Sequence, residues 1–493
     1  MHIDFVDQTL RDGQQSLWGL RMRAFQAAPA LPFIDRTGFK VVDLTGAGMF
    51  QVLLRSFRDD PWASTDFLIQ GLPSSIVRAG MRTISVIGFG FVPDSIVDLW
   101  IHTLSRHGVK SFWIYDCLFD MGTMHRVADV ATEAGAQPVP AVMYGLTDLH
   151  SDDFFAARAG EIASWDGIET VYFEDAAGVL TPERAAAVLP KVKAATAGRR
   201  VELHCHNTTG LANLNYIEGL RCGIDILHTA SRSMANGASL PSTEAMLETI
   251  GVLGHTHGLD TAMLEPVRLH FLDEAAASGY ETGVPNEFSL LPYRHQLPGG
   301  MTGTLKAQLA EHGMGHRLRE VLDEIVIVRE DLGQPVMATP FSQLVGIQAV
   351  LNIVAGERYK LVPDEVIQYT LGHYGPLMRA VEGDVADRIL SQPRAADFKG
   401  WERPQPSLRE LRQRFGLTIS DEELLLRAMH PDAEVDAMLA SGPPRTTPRT
   451  KASEIVENIA ELVSAPRSLC QMSVSLPELS ITVRRNSAQP APR

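Results

Sequence analysis

Short apolar runs alternate with longer amphipathic stretches along about the first 260 residues, a length that suits one large α/β domain. The runs are rich in β-branched and aromatic residues and predict strands, whereas the stretches between them have the period of helices. The predicted strands are Ile3–Val6, Val41–Leu44, Thr83–Ile87, Ser111–Tyr115, Pro138–Met143, Ile168–Phe173, Val201–His206 and Ile224–Thr229. The predicted helices between them include Thr123–Ala134 and Pro182–Ala195, the second of which follows an N-capping Thr181.

Eight strands alternating with helices predict a (β/α)8 TIM barrel, because parallel neighbours must be joined by crossover helices. An open doubly wound sheet is the alternative, but no GxGxxG motif follows the first strand. Strand signals fade after about residue 300, where helical periodicity predominates. The helices predicted there are Val345–Ala355, Asp364–Gly372 and Ser407–Phe415.

The predicted domain organisation follows from this change of pattern and from a run of prolines near residue 445. It comprises a TIM-barrel catalytic domain over residues 1–265, a mainly helical domain over 266–440, a linker over 441–450 and a small segment over 451–493. Within that last segment, Glu454–Ser464 has the pattern of a helix and Gln471–Val483 that of one or two strands.

Composition and charge exclude several classes of function. With 493 residues and a net charge of −15, the chain is too long for a single core and has no basic patch for nucleic acid or anionic lipid. Its four cysteines form no CxxC pair, which favours a reducing, cytoplasmic compartment. The first residues do not resemble a signal peptide, and no apolar run approaches the ~18 residues of a membrane span.

Candidate chemistry lies where predicted strands end. His204 and His206 are two apart in a strand and therefore project to one face, which is half of a metal site, or else two polar residues facing water. Asp12 follows the first strand and would lie at the same barrel mouth, or else it belongs to a turn in which Arg11 pairs with Asp7. Glu174 follows the sixth strand as a further candidate ligand, or else as a loop carboxylate capping the next helix. The three positions support one another because all lie at strand ends.

Several rare motifs occur in one order and resemble a known family. They are DQTLRDGQQSLWGLRMR at the start, Gly46–Phe50 with Arg55 and Pro61-Trp62, His204–Gly210, Arg294–Gly300, Gln334–Pro340 and Tyr359–Pro363. They resemble the biotin carboxyltransferase family, which includes pyruvate carboxylase, the oxaloacetate decarboxylase alpha subunit and the transcarboxylase 5S subunit. The resemblance covers about residues 1–430 and supports the TIM barrel with a helical C-terminal domain.

The resemblance implies roles for individual residues. Asp12, His204 and His206 match the family's metal ligands, and the ion is expected to be Zn or Mn. Gln15 matches a residue that contacts the 2-oxo acid, and Arg55 matches the arginine that binds the substrate carboxylate. Arg11 would help to stabilise a developing enolate, so that CO2 is gained or lost at the adjacent carbon.

Three positions depart from the family pattern. Glu174 stands where relatives have a carbamylated lysine that ligates the metal, so direct ligation, ligation through water and a purely structural carboxylate all remain open. Ala238 stands where relatives have a threonine that moves a proton between biotin and the substrate, and alanine cannot do this. Phe119 replaces a polar residue after the fourth strand. These changes indicate a substrate other than plain pyruvate.

Biotin is not expected on this chain, because none of its eight lysines lies in a Met-Lys-Met setting. Any biotin that the reaction uses would therefore arrive on a separate carrier protein, served by a biotin carboxylase, and relatives imply a homodimer. The leading hypothesis is a metal-dependent carboxyltransferase or decarboxylase of a small 2-oxo acid. The alternatives are a biotin-independent lyase or synthase, similar to HMG-CoA lyase and isopropylmalate synthase, and a scaffold subunit that has lost turnover.

Overall fold

The computed structural model describes residues 1–448 except 87, 89, 303, 304, 306–308 and 310–312, together with 471–476 and 479–484. Eight parallel strands form a closed barrel in chain order, and the last pairs with the first through registers such as Asp4 with Ile226. The strands are β1 Asp4–Asp7, β2 Val41–Gly46, β3 Val77–Arg82, β4 Ser111–Tyr115, β5 Gln137–Met143, β6 Thr170–Asp175, β7 Arg200–Cys205 and β8 Ile226–Thr229. The TIM-barrel prediction is confirmed.

Helices surround the barrel and then form most of the chain up to residue 441. They are Gln14–Trp18, Ala24–Ala27, Leu31–Thr37, Ala47–Val52, Pro61–Gln70, Asp94–Arg106, Met121–Glu133, Asp152–Ala163, Pro182–Ala195, Ala212–Arg221, Thr243–Val252, Leu264–Ser278, Leu291–His295, Leu318–Asp331, Phe341–Ala355, Asp364–Thr370, Gly383–Leu390, Ala395–Phe398, Leu408–Phe415, Asp421–Met429 and Asp432–Ser441. The predicted helical C-terminal region is therefore confirmed. Among the described residues, no helix has both the length and the apolar character that a membrane span requires.

The chain divides into two compact units, Met1–Arg445 and Thr446–Arg493. The first contains both the barrel and the helices that follow it. In the second, β9 Gln471–Leu476 and β10 Leu479–Arg484 form an antiparallel hairpin, in the stretch where the sequence predicted one or two strands. The helix predicted over Glu454–Ser464 lies outside the described residues.

Residues of the C-terminal helical region contact the barrel at the ends of its strands. The Gln296 side chain bonds both the N–H and the carbonyl oxygen of Leu146, which follows β5. Gly299 packs against Ala238, which follows β8. The helical region thus covers part of the barrel mouth.

The third predicted strand is wrong. Its apolar, β-rich character predicts a strand over Thr83–Ile87, but β3 is Val77–Arg82, which contains two arginines and a glycine. Arg78 is tolerated inside the barrel because it forms a buried ion pair with Glu202 of β7. Gly80 is required because the Trp113 indole of β4 occupies the space that a side chain would need. Both reasons are tertiary and leave no periodic signal.

Gly80→Ala should destabilise the barrel by about 1–3 kcal/mol, the usual cost of overpacking. A Cβ at this position would lie 2.4 Å from two atoms of the Trp113 indole. Denaturant unfolding measures the change. Gly251→Ala is the matched control, since Gly251 lies in a helix with nothing within 4 Å of an added Cβ, and alanine there should stabilise. Equal effects at the two glycines would contradict the packing argument.

Candidate active site

Asp12 reaches the barrel mouth through a tight turn. β1 ends at Asp7, and residues Thr9–Gly13 form a single π-helical turn that leads into the helix Gln14–Trp18. Gly13 allows this turn to lie against the loop after β8, because a Cβ there would approach the Met234 carbonyl oxygen to 3.0 Å. The turn carries the Asp12 carboxylate over the open end of the barrel.

Two histidines of β7 and its continuation meet Asp12 there. Oδ2 of Asp12 lies 3.3 Å from Nε2 of His204 and 3.3 Å from Nε2 of His206. All three side chains are buried, and the atoms they offer lie within 4.8 Å of one another. The structure therefore brings together three of the four residues that the sequence analysis gave as candidate metal ligands.

The second ring nitrogen of each histidine already has a partner. Nδ1 of His206 donates to the Ala238 carbonyl oxygen at 2.8 Å, and Nδ1 of His204 lies 3.2 Å from Nδ1 of His228. Nε2 of His204 is buried without a hydrogen-bond partner. Two imidazole Nε2 atoms and one carboxylate directed at a common point are a donor set that suits a divalent transition metal.

The charges in the cluster are strongly coupled. Burial by itself would raise the pKa of Asp12, but the Arg11 guanidinium and His206 hold that pKa well below its ordinary value. Burial lowers the pKa of His204 well below its ordinary value, so this imidazole is neutral. Burial also opposes a charge on His206, but the Asp12 carboxylate outweighs it and raises the pKa of His206 to about 9. Without a cation, a proton on His206 balances Asp12.

Zinc binding should therefore strengthen as pH rises towards 9. Below the His206 pKa of about 9, the metal-free protein holds a proton on a ligand nitrogen, and this proton must leave when a cation binds. The apparent zinc dissociation constant should fall by about tenfold per pH unit while one proton is released. Competition with a chromophoric chelator between pH 6 and 9 measures this slope. A flat profile would show that His206 is not deprotonated by binding.

Arg11 is fixed beside the cluster. Its Nη2 lies 3.1 Å from Asp12 Oδ2, its Nε donates to Asp43 Oδ2 at 3.2 Å, and its guanidinium lies over the Trp113 ring at 5.0 Å. Burial would lower its pKa, but the Asp12 and Asp43 carboxylates raise it above the ordinary value. Arg11 is therefore a fixed cation at the barrel mouth and does not pair with Asp7, which instead accepts from Thr9.

Glu174 ends β6 close to this group but outside the set of three ligand residues. It is buried, and its Oε2 has no hydrogen-bond partner. Burial, reinforced by the Asp12 carboxylate, raises its pKa to about 7 despite the opposing Arg11 guanidinium. Glu174 is therefore within electrostatic range of Arg11 and Asp12, and its role as a ligand stays a prediction. It does not cap the next helix, whose N-terminal N–H group bonds Thr181.

The two predicted substrate-binding residues are not buried with the metal cluster. Gln15 lies on the exposed face of the helix Gln14–Trp18, one turn beyond Asp12. Arg55 lies in a helical turn after β2, its side chain is 50% exposed, and its Nε pairs with Glu434 at 2.9 Å. No contact among the described residues joins Arg55 to Asp12, and its proposed role stays a prediction.

Arg82 is a candidate that was not predicted from the sequence. It ends β3, two residues after Gly80, and so projects to the same face, the barrel interior that Trp113 occupies. Its guanidinium donates to the carbonyl oxygens of Val86 and Gly88, and it forms no ion pair among the described residues. Burial raises the pKa of Tyr115, the Arg82 guanidinium lowers it and the Glu174 carboxylate raises it. The Tyr115 hydroxyl therefore lies within electrostatic range of both Arg82 and Glu174. The sequence analysis missed Arg82 because it predicted the third strand over Thr83–Ile87. Only a correct end for this strand would have marked Arg82 as a strand-end residue.

Beneath the cluster lies a buried polar chain. Arg78 forms two hydrogen bonds with the Glu202 carboxylate, and Glu202 Oε2 lies 2.8 Å from Nε2 of His228. Burial would raise the pKa of Glu202, but Arg78 and His228 hold it below the ordinary value. Burial lowers the pKa of His228, so this ring is neutral. These residues occupy barrel positions that branched aliphatic side chains usually fill.

Ala238 and Phe119, the other two departures from the family pattern, are both held by specific contacts. Ala238 bonds His206 through its carbonyl oxygen, while its Cβ lies where a side chain on Gly299 would clash. Phe119 has a positive φ of 58° and packs against His150 and Phe154. Neither side chain offers an acidic proton.

Comparison with known proteins gives consistent matches. A family model described as a conserved carboxylase domain matches residues 293–459, and an HMGL-like model matches residues 116–268. The chain is 30% identical over 444 residues to a pyruvate carboxylase subunit from Methanocaldococcus jannaschii, covering 88% of this chain and 77% of that protein. It is 29% identical to the 2-oxoglutarate carboxylase large subunit of Hydrogenobacter thermophilus, covering 88% and 68%. It is 27% identical to the methylmalonyl-CoA carboxyltransferase 5S subunit of Propionibacterium freudenreichii subsp. shermanii, covering 87% and 86%.

A solved structure matches the fold over most of the chain. It is the carboxyl transferase domain from Rhizobium etli pyruvate carboxylase with pyruvate, with a TM-score of 0.80 and 22% identity. The match covers 89% of this chain and 77% of that one. The similarity thus extends through both the barrel and the helical region.

Proposed function

Because this chain belongs to the biotin-dependent carboxyltransferase family, within the HMG-CoA lyase-like barrels, we propose that it moves a carboxyl group between biotin on a separate protein and a 2-oxo acid. The observation that carries this proposal is the meeting of Asp12, His204 and His206, with the Arg11 cation beside them. The relatives named above are carboxylase or carboxyltransferase subunits, so the lyase alternative gains no support.

Asp12, His204 and His206 would hold a divalent cation, with Zn or Mn as our proposal for its identity. A cation bound there supplies Lewis-acid polarisation of the substrate's oxo group. Arg11 is oriented before any substrate arrives, because Asp43 and the Trp113 ring hold it in place. It can therefore stabilise negative charge that develops on a substrate oxygen without reorganisation.

Arg82, in place of the Arg55 predicted from the sequence, is our candidate for binding the substrate carboxylate. Arg82→Gln should raise KM for the 2-oxo acid by about 10–100-fold, the loss expected for a hydrogen bond to a charged group. Arg55→Gln, the matched control, should stay within about twofold, because Arg55 pairs with Glu434 at a half-exposed position. Steady-state kinetics of both variants decide the assignment, and a large KM effect confined to Arg55→Gln would restore the prediction made from the sequence.

The substrate is proposed to be a 2-oxo acid other than pyruvate. Carboxyl exchange requires that a proton replace the carboxyl group on carbon, and neither Ala238 nor Phe119 can supply one. The family resemblance implies that a threonine at the position of Ala238 moves this proton when the substrate is pyruvate. A larger acid whose own carboxylate or a bound water assists the transfer is consistent with this change.

The test is decarboxylation of a panel of carboxylated 2-oxo acids. Purified protein with Zn2+ or Mn2+ is expected to release CO2 from oxalosuccinate faster than from oxaloacetate, with stimulation by free biotin. The release should be measured by a coupled assay for each 2-oxo acid product. Absence of turnover on every 2-oxo and 3-oxo acid, with and without biotin, would refute the proposed function.

The assembly proposed for this chain follows its relatives. We propose a cytoplasmic homodimer that works with a biotin carrier protein and a biotin carboxylase. Sedimentation of the purified chain, and carboxylation in the presence of a biotinylated carrier domain, test these two statements separately.

A further inference from the structure

We propose that His228 is a positioning residue that fixes which nitrogen of His204 is free to bind a cation. The inference rests on the proposed metal site and goes beyond it to residues that no part of the family pattern identified. It is carried by an unbroken line of buried contacts from β3 through β7 to β8.

The line begins with an anchored carboxylate. Both guanidinium Nη atoms of Arg78 donate to Glu202, and Arg78 Nε also donates to the Ser111 hydroxyl at 3.0 Å. Arg78 and Glu202 are almost completely buried. A bidentate pair of this kind holds the carboxylate in one orientation.

The anchored carboxylate then determines the tautomer of His228. Glu202 Oε2 accepts from Nε2 of His228 at 2.8 Å, so the ring proton is on Nε2 and Nδ1 carries a lone pair. Gln8 Nε2 lies 2.9 Å from this Nδ1 and also donates to Asp43. The amide is thus oriented with its N–H groups towards both acceptors, which agrees with His228 Nδ1 as an acceptor.

The tautomer of His228 in turn determines the tautomer of His204. Nδ1 of His204 lies 3.2 Å from the same His228 Nδ1, whose single lone pair is shared between Gln8 and His204. His204 Nδ1 must therefore be a donor, and its Nε2 is left with the lone pair that faces Asp12. Without an acceptor at His228, His204 could instead carry its proton on Nε2 and donate it to Asp12. That tautomer would close the site to a cation. Tyr172 stacks on the His228 ring, with 4.7 Å between the ring centroids, and so limits rotation of that ring.

The test compares two amide substitutions of His228. Asn places its amide oxygen near the position of Nδ1 and can accept from His204, whereas Gln places its amide near Nε2 and leaves His204 without an acceptor. His228→Gln should weaken zinc binding by about 10–100-fold, the usual cost of losing an outer partner of a metal ligand. His228→Asn should remain within about threefold of the unmodified protein.

Zinc affinity is measured on the full chain by chelator competition, with thermal unfolding of each metal-free variant as a check of folding. His150→Gln is the matched control, because His150 is also buried and has no contact with the cluster among the described residues. Equal zinc affinity in the two His228 variants would overturn the proposal, as would an equal loss in His150→Gln. Failure of the unmodified chain to bind zinc would instead refute the metal site itself.

Discussion

Replacing Asp12 with asparagine should abolish stoichiometric zinc binding and lower carboxyl transfer by well over about 100-fold, more than the loss of an outer partner of a ligand. The amide keeps the shape of the side chain but removes the negative charge that both imidazoles face at 3.3 Å. It also removes one of the two carboxylates that face the Arg11 guanidinium, so that a cation entering the site would be repelled by a less well balanced positive charge. The measurements are metal content by elemental analysis and turnover of the preferred carboxylated 2-oxo acid.

Asp59→Asn provides the control for this variant. Asp59 is a buried carboxylate paired with Arg23 by two hydrogen bonds, and it has no contact with the cluster among the described residues. Its loss should reduce stability and leave the zinc content unchanged. Full zinc occupancy in Asp12→Asn would contradict the proposed site, because it would show that zinc binds without the Asp12 carboxylate.

Replacing Glu174 with glutamine should weaken zinc binding by about 10–100-fold while leaving the barrel folded. Its carboxylate is buried within electrostatic range of Asp12 and His206, and its Oε2 has no hydrogen-bond partner that would explain it structurally. Negative charge at this position stabilises a neighbouring cation whether contact is direct or through water. Zinc competition at constant pH measures the loss.

Asp175→Asn is the matched control on the next residue of the same strand. Asp175 accepts from the N–H groups of Val179 and Leu180, so its loss should mainly lower stability and should change zinc affinity much less than Glu174→Gln does. Unchanged zinc affinity in Glu174→Gln would identify Glu174 as a structural carboxylate.

The metal-free stability of Glu174→Gln gives an independent readout. Because burial raises the Glu174 pKa from 4.5 to about 7, the folded chain keeps this proton while the unfolded chain has lost it. Stability is therefore lost as pH rises from 4.5 to about 7, and above that range glutamine should stabilise the metal-free protein by about 3 kcal/mol. Denaturant unfolding of the two metal-free proteins above that range measures the difference, and equal stability would contradict the raised pKa.

Much of the fold followed from local patterns. Seven of the eight predicted strands overlap observed ones, and the helix Pro182–Ala195 has the predicted bounds, because a threonine cap and a first-turn proline define its start. The strand β3 was missed because Arg78 and Gly80 are unfavourable in a buried strand until Glu202 and Trp113 are placed beside them. A residue whose burial depends on a partner far along the chain gives no local signal.

The same division applies to the site. Alternation along β7 put His204 and His206 on one face, and the position of Asp12 after β1 made it a candidate to join them, which the family resemblance supported. Alternation also placed Glu202 on that face, but nothing local showed that it would anchor His228. The arginine at the end of β3 and the pairing of Arg55 with Glu434 depended on which elements pack together.

By itself, then, the sequence indicated the parallel barrel and the candidate ligands at the ends of its strands, because strand alternation and strand-end position are local properties. Only the tertiary structure decided which charged groups are paired inside the barrel and which histidine nitrogens are free to bind a cation. It also decided that Arg82, at the end of β3, projects into the barrel. Those features depend on distances between strands that are remote in the chain, and desolvation makes each of them costly unless its partner is present.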